Sequence, residues 1–210
     1  MHISAGFSYR SNRWLIISLA AFFVAGCAGA GEGAVKGAAG GALAGAASGL
    51  ITALVWGGDA GEHMVRGAQA GATVGAIGGA IEGSSKARAE AEYQAAQEQR
   101  ELDQFRHDIG NAAFDGVVAL VDCKHTVAIA NAEIAAESTN GNHALAGLWV
   151  QALTYADQDD SSRLEVIGTE IVRWDREVSN STQFESELRN AHNDLLDIRS
   201  DYHLPRTCTS

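Results

Sequence analysis

Two cysteines and two histidines carry the most specific chemistry in this chain. They lie in Cys123-Lys124-His125 and in His203-Leu204-Pro205-Arg206-Thr207-Cys208. Joined as a disulfide, Cys123 and Cys208 would tie the C-terminal tail to the middle of the chain and close a ring of about 85 residues. With the two imidazoles they could instead hold tetrahedral zinc. The spacings match no common zinc signature, and thiolates seldom stay reduced outside the cytosol, so the disulfide is the expected form. Asp157, Asp159, Asp160 and Ser161 look like the start of a calcium loop. The glycine and the bidentate glutamate of that loop would fall at Ser162 and Gly168, so the pattern fails. His107, His143 and His192 stand on polar stretches and read as surface residues. The sequence offers no nucleophile–base pair, phosphate loop or paired carboxylates, so it predicts no enzyme, no cofactor and no metal.

The third cysteine has a different context. Arg10 and Arg13 precede an apolar run from Trp14 to Ala25, without an acidic residue. This pattern is a secretory signal over 1–26, too short to be a spanning helix. Its end, Val24-Ala25-Gly26-Cys27, resembles the lipobox of bacterial lipoproteins. The resemblance implies cleavage before Cys27 and acylation of that cysteine by a chain such as palmitate. Ala28 rather than Asp follows, which by the sorting rule of enteric bacteria implies export to the outer membrane.

Behind this N-terminus stand two runs of glycine at every fourth residue. One is Gly33, Gly37, Gly41, Gly45 and Gly49; the other is Gly67, Gly71, Gly75, Gly79 and Gly83. They mirror each other about Gly58, within the turn signal Gly57-Gly58-Asp59-Ala60-Gly61. The spacing predicts a helical hairpin with Gly45 facing Gly71 and Gly49 facing Gly67. Each interior glycine costs about 1 kcal/mol against alanine in water. In lipid the backbone must satisfy itself, and small residues let helices approach closely. Gly37 to Gly58 carries no charge, and about 22 helical residues span roughly 33 Å. The expectation is a transmembrane hairpin that self-associates into a homo-oligomer through its glycine faces. Leu43, Ile51, Leu54 and Val55 would face lipid, while Glu62, His63 and Arg66 would keep the tip in water. The alternative is a flexible Gly/Ala linker.

Residues 27–83 resemble the glycine-zipper lipoproteins of the outer membrane, such as the rickettsial surface-antigen and SlyB/OsmB-like groups. The resemblance implies a membrane role for this part alone, because a long helical sequence follows. Residues 27–32 read as a lipidated tether, 33–83 as the hairpin, 84–110 as a solvated helical stalk, and 111–210 as a periplasmic helical domain. The only proline is Pro205, and alternating β-branched residues are scarce, so the fold class is all-α. A central buried helix is predicted over 111–137, broken by Asn140-Gly141-Asn142. A stripe of Leu145, Leu148, Trp149, Ala152 and Leu153 follows. Capping boxes at Ser162/Glu165 and Thr182/Glu185 would start two more helices. Their stripes are Leu164, Ile167, Ile171 and Trp174, then Phe184, Leu188, Ala191, Leu195, Ile198 and Tyr202. Short connections make these an antiparallel bundle or a short helical-repeat domain.

The net charge is −11, and −13 once a leader holding two arginines is removed. That excludes a basic footprint for nucleic acid. Three function classes remain. One is a structural outer-membrane lipoprotein whose helical domain engages a periplasmic partner. The others are a subunit of a multimeric channel or secretion complex, and a periplasmic adaptor merely anchored by the hairpin.

Overall fold

The computed structural model describes residues 32–57, 63–69 and 85–208, and these are helical with no strand. The helices are α1 (Glu32–Trp56), α2 (Ser85–Ile109), α3 (Asn111–Val121), α4 (His125–Ala136), α5 (Gly141–Asp157), α6 (Ser161–Trp174) and α7 (Ser181–Asp201). A further helical stretch covers 63–69. Consecutive helices α3 to α7 pack on one another through short connections. Cys27, Gly58, Gly71, Gly75, Gly79 and Gly83 lie outside the described residues.

The central element is α5, not the helix predicted over 111–137. It touches α1, α2, α3, α4, α6 and α7, and Leu145, Trp149, Ala152 and Leu153 of its stripe are buried. At Gly147 an ideal Cβ would fall 2.5 Å from the Ala136 nitrogen and 2.6 Å from the Ala132 carbonyl oxygen. Glycine therefore lets α4 and α5 meet backbone to backbone. The predicted single helix splits into α3 and α4 because Cys123 takes φ 60°. Lys124 N donates to Ala119 O across that turn, a Schellman closure of the α3 C-terminus.

The spanning hairpin needs correction. Among the described residues no helix is long and apolar enough to cross a membrane. Instead α1 packs on α2, α3, α5 and α7. Leu43, Ile51 and Val55, expected to face lipid, are buried in the same core as Leu120, Trp149 and Leu195, and Leu54 packs at its edge. The reason is geometric. A helix apolar around its whole circumference suits a protein core as well as a bilayer, and here α3, α5 and α7 supply apolar faces to meet it.

Glycine does form the contact between α1 and 63–69, in a different register. An ideal Cβ on Gly45 would fall 1.7 Å from Gly67 O, and one on Gly49 would fall 2.2 Å from His63 O. Gly45 thus meets Gly67 rather than Gly71, and Gly49 meets the His63 backbone rather than Gly67. The slip is one glycine period. A four-residue repeat tolerates it at Gly45, where glycine still meets glycine, while Gly49 runs past the end of the second glycine run onto the His63 backbone.

Other departures are local. Asp160, not Ser162, caps α6 by accepting from Arg163 N. Asn180, not Thr182, caps α7 by accepting from Gln183 N. On α6, Ile171 is buried while Trp174 is 67% exposed, so the expected stripe does not carry Trp174 into the core. In α2, the described residues Tyr93, Ala96, Gln97, Gln99 and Arg100 are exposed. The base of α2 is fixed where the Arg106 guanidinium lies 4.1 Å from the Phe114 ring centroid.

Candidate functional site: a buried ionic knot and an aromatic cleft

Three helices end at one place. The C-termini of α3, α5 and α7 each close with a residue at positive φ, namely Cys123, Asp159 and His203. Each closure puts the next backbone N–H on a carbonyl five residues back: Lys124 on Ala119, Asp160 on Tyr155, Leu204 on Arg199. Non-glycine residues pay about 1–2 kcal/mol for this left-handed conformation. The convergence of three carbonyl-rich helix ends also concentrates negative dipole, and a buried cation answers it.

That cation is Arg199, which is 0% exposed. Its Nη2 donates to Leu120 O at 2.6 Å, and its Nε donates to Val121 O at 3.2 Å. The two Nη atoms also grip Asp157 bidentately, at 2.7 Å to Oδ1 and 2.8 Å to Oδ2. Asp157 ends α5, and its side chain is 3% exposed. His125, the first residue of α4, lies with Nε2 2.7 Å from Oδ2, and His192 of α7 lies with Nε2 3.3 Å from Oδ1. Burial alone would push the Asp157 carboxyl up. Hydrogen bonds from His192, Arg199 and His125, with the Arg199 charge, overcome it and hold the group well below the usual carboxylate range.

Cys123 and Cys208 are joined as a disulfide with Cα atoms 5.4 Å apart. Cys208 Sγ sits 3.3 Å from Asp157 Oδ2, so the bridge stitches the tail directly onto the knot. His125, Asp157 and Cys208 present atoms within 4.8 Å of one another, a metal-like grouping. Its chemistry does not suit a metal in this state. The two sulfurs are bonded to each other and the Arg199 guanidinium already serves as the cation. The zinc set considered from sequence also loses His203, which is exposed.

His192, read as a surface residue, belongs to the knot, and so does Asp157, which the sequence showed only as part of a failed calcium-loop pattern. His143 instead reaches His107 O through Nε2 at 2.9 Å. Breaking the bridge in Cys208→Ser should lower stability by about 2–4 kcal/mol. Urea denaturation of the variant and of the reduced wild-type protein should give the same lowered midpoint.

A second feature lies where the C-terminal end of α1, the N-terminal end of α5 and the C-terminal end of α6 meet. These enclose a cleft of about 750 Å³. Trp56 and Trp174 both line it, with 41% and 67% of their surfaces exposed. The 175–177 segment closes one side. It is held by the buried Asp175, whose Oδ2 accepts from Trp149 Nε1 at 3.0 Å and whose Oδ1 accepts from Glu177 N at 2.8 Å. Trp149 is anchored in turn against Phe184, with ring centroids 5.6 Å apart. The cleft wall is thus fixed to the core through a buried polar contact. Compared with known proteins, the chain matches no family model, no curated protein and no solved structure.

Proposed function

We propose that this chain is a structural lipoprotein of the bacterial envelope, anchored by acylated Cys27, whose acidic helical domain binds a partner in the periplasm. The observation that carries the reading is the Cys123–Cys208 bridge, because such bonds persist in oxidising compartments. The leader and the lipobox-like Val24-Ala25-Gly26-Cys27 support the same compartment from the other end of the chain. The knot supports a structural rather than catalytic role for its residues: each Asp157 oxygen is occupied by Arg199 and a histidine. In this reading the apolar side chains of α1 pack it into the domain, and the glycine contact seats the 63–69 stretch on α1.

The anchoring claim is tested by metabolic labelling with palmitate followed by membrane fractionation. Label on the wild-type chain should disappear in Cys27→Ala, which should accumulate as precursor. An unlabelled wild-type protein, with free thiols at Cys123 and Cys208, would overturn the reading.

A further inference from the structure

We propose that the cleft between Trp56 and Trp174 is a binding site for an uncharged glycan chain carrying acetamido or similar small apolar substituents. The proposal names the partner class of the envelope reading and rests on that reading for its setting. Four observations carry it.

The first is the exposure of two indoles on one concavity. Aromatic surface left in water within a formed cleft is one mark of a recognition site. The electron-rich face of an indole attracts polarised C–H bonds, and a sugar ring presents such bonds across its flat faces.

The second is the balance of charge. Of the carboxylates lining the cleft, Glu170 is paired with Arg173 and Asp175 accepts from Trp149 Nε1 and Glu177 N. This leaves Glu177 beside Arg176, so the site neither collects an anion nor forms a dedicated cation seat. The chain's net charge of −11 adds to the discrimination against phosphate or nucleic acid. A hydroxyl-rich neutral ligand suits a wall that mixes carboxylates, a guanidinium and the Asn142 amide. Vicinal hydroxyls can each donate to a carboxylate while accepting from the guanidinium or amide.

The third is the apolar part of the lining. Leu145 is buried and Leu148 half-buried, which offers an acetamido methyl an apolar seat. The fourth is size and rigidity. About 750 Å³ falls within the roughly 300–1,000 Å³ of small-ligand sites. The Asp175–Trp149 hydrogen bond fixes the segment that carries Arg176 and Glu177, so little ordering entropy is left for the ligand to offset. A flat protein interface would instead need roughly 800 Å² per partner.

The test is a fluorescence titration of the full chain, purified in a detergent that has no sugar head group. The probe is an N-acetylglucosamine oligosaccharide, with a malto-oligosaccharide and an anionic polysaccharide as comparisons. The acetamido probe should shift and quench tryptophan emission saturably, and the anionic one should not. The variants are Trp174→Ala and Trp56→Ala. Trp174 is 67% exposed and Trp56 41%, so Trp174→Ala is the surface change, and the melting temperature of each variant is recorded beside its binding. Each should weaken binding at least about tenfold. No response to either neutral glycan up to about 10 mM would overturn the proposal. So would wild-type affinity in both variants, or a protein captured by crosslinking at the cleft with no glycan response. The titration uses isolated protein, so its failure is separate from failure of the palmitate labelling.

Discussion

Asp157→Ala should destabilise the helical domain by about 3–5 kcal/mol, because it strips a buried guanidinium of its counter-ion. Arg199 is 0% exposed and cannot turn to water. It would keep Leu120 O and Val121 O as acceptors but lose both carboxylate contacts. Against a typical net stability of about 5–15 kcal/mol, this is a large fraction. Joint replacement by apolar residues, Asp157→Leu with Arg199→Met, removes both charges together and should recover much of the loss. His125→Ala and His192→Ala each delete one hydrogen bond at a partly exposed ring and should cost about 1 kcal/mol. The pH dependence follows from the lowered carboxyl. A depressed carboxylate contributes stability that is fully present above its unfolded value of about 3.9 and is lost as pH falls toward the folded value. Wild type should therefore lose stability below about pH 4, and Asp157→Ala should lack this component. Urea midpoints from neutral pH down to about pH 3 measure both effects. A change under about 1 kcal/mol at neutral pH would show that the ion pair is not what holds the three helix ends together.

What the sequence made legible follows from how local each signal is. The stripes of α5 and α7 are read from side chains three and four apart, and Leu145, Trp149, Leu153, Phe184, Leu188, Leu195 and Ile198 are indeed buried. The disulfide followed from cysteine number and compartment, without any geometry. The knot had no such signal. Asp157 and Arg199 stand far apart in the chain, and Asp157 sits in an acidic run that reads as a solvated loop. The helix ends at Cys123, Asp159 and His203 were hidden because none uses the glycine that usually marks a left-handed closure. Asp160 and Asn180, each two residues upstream, took the capping roles from Ser162 and Thr182 because Asp and Asn cap a helix as well as Ser and Thr do without a box partner. The case of α1 is different in kind. Its apolar residues were legible, but the register of its glycine contact was not, and periodicity does not say what lies opposite an apolar helix.

Leu50→Ala and Ile51→Ala decide what lies opposite α1. Both side chains are 0% exposed within the core of the helical domain. Truncating a fully buried Leu or Ile leaves a cavity that costs about 2–5 kcal/mol, since the surroundings collapse only in part. The loss should appear as a lower denaturation midpoint for the whole domain, read at Trp149, which shares a pocket with Ala53 and Leu54 of α1. Val65→Ala, at a side chain 57% exposed on the second arm, should change the midpoint by no more than about 0.5 kcal/mol. If α1 instead resides in lipid, Leu50 and Ile51 face acyl chains or a neighbouring hairpin, and the domain's midpoint is indifferent to them. A wild-type midpoint in both variants would move α1 out of the core and make membrane assembly the working reading. A full loss in both would mean that the glycine contacts at Gly45 and Gly49 serve to bring the 63–69 arm onto a helix already committed to α3, α5 and α7.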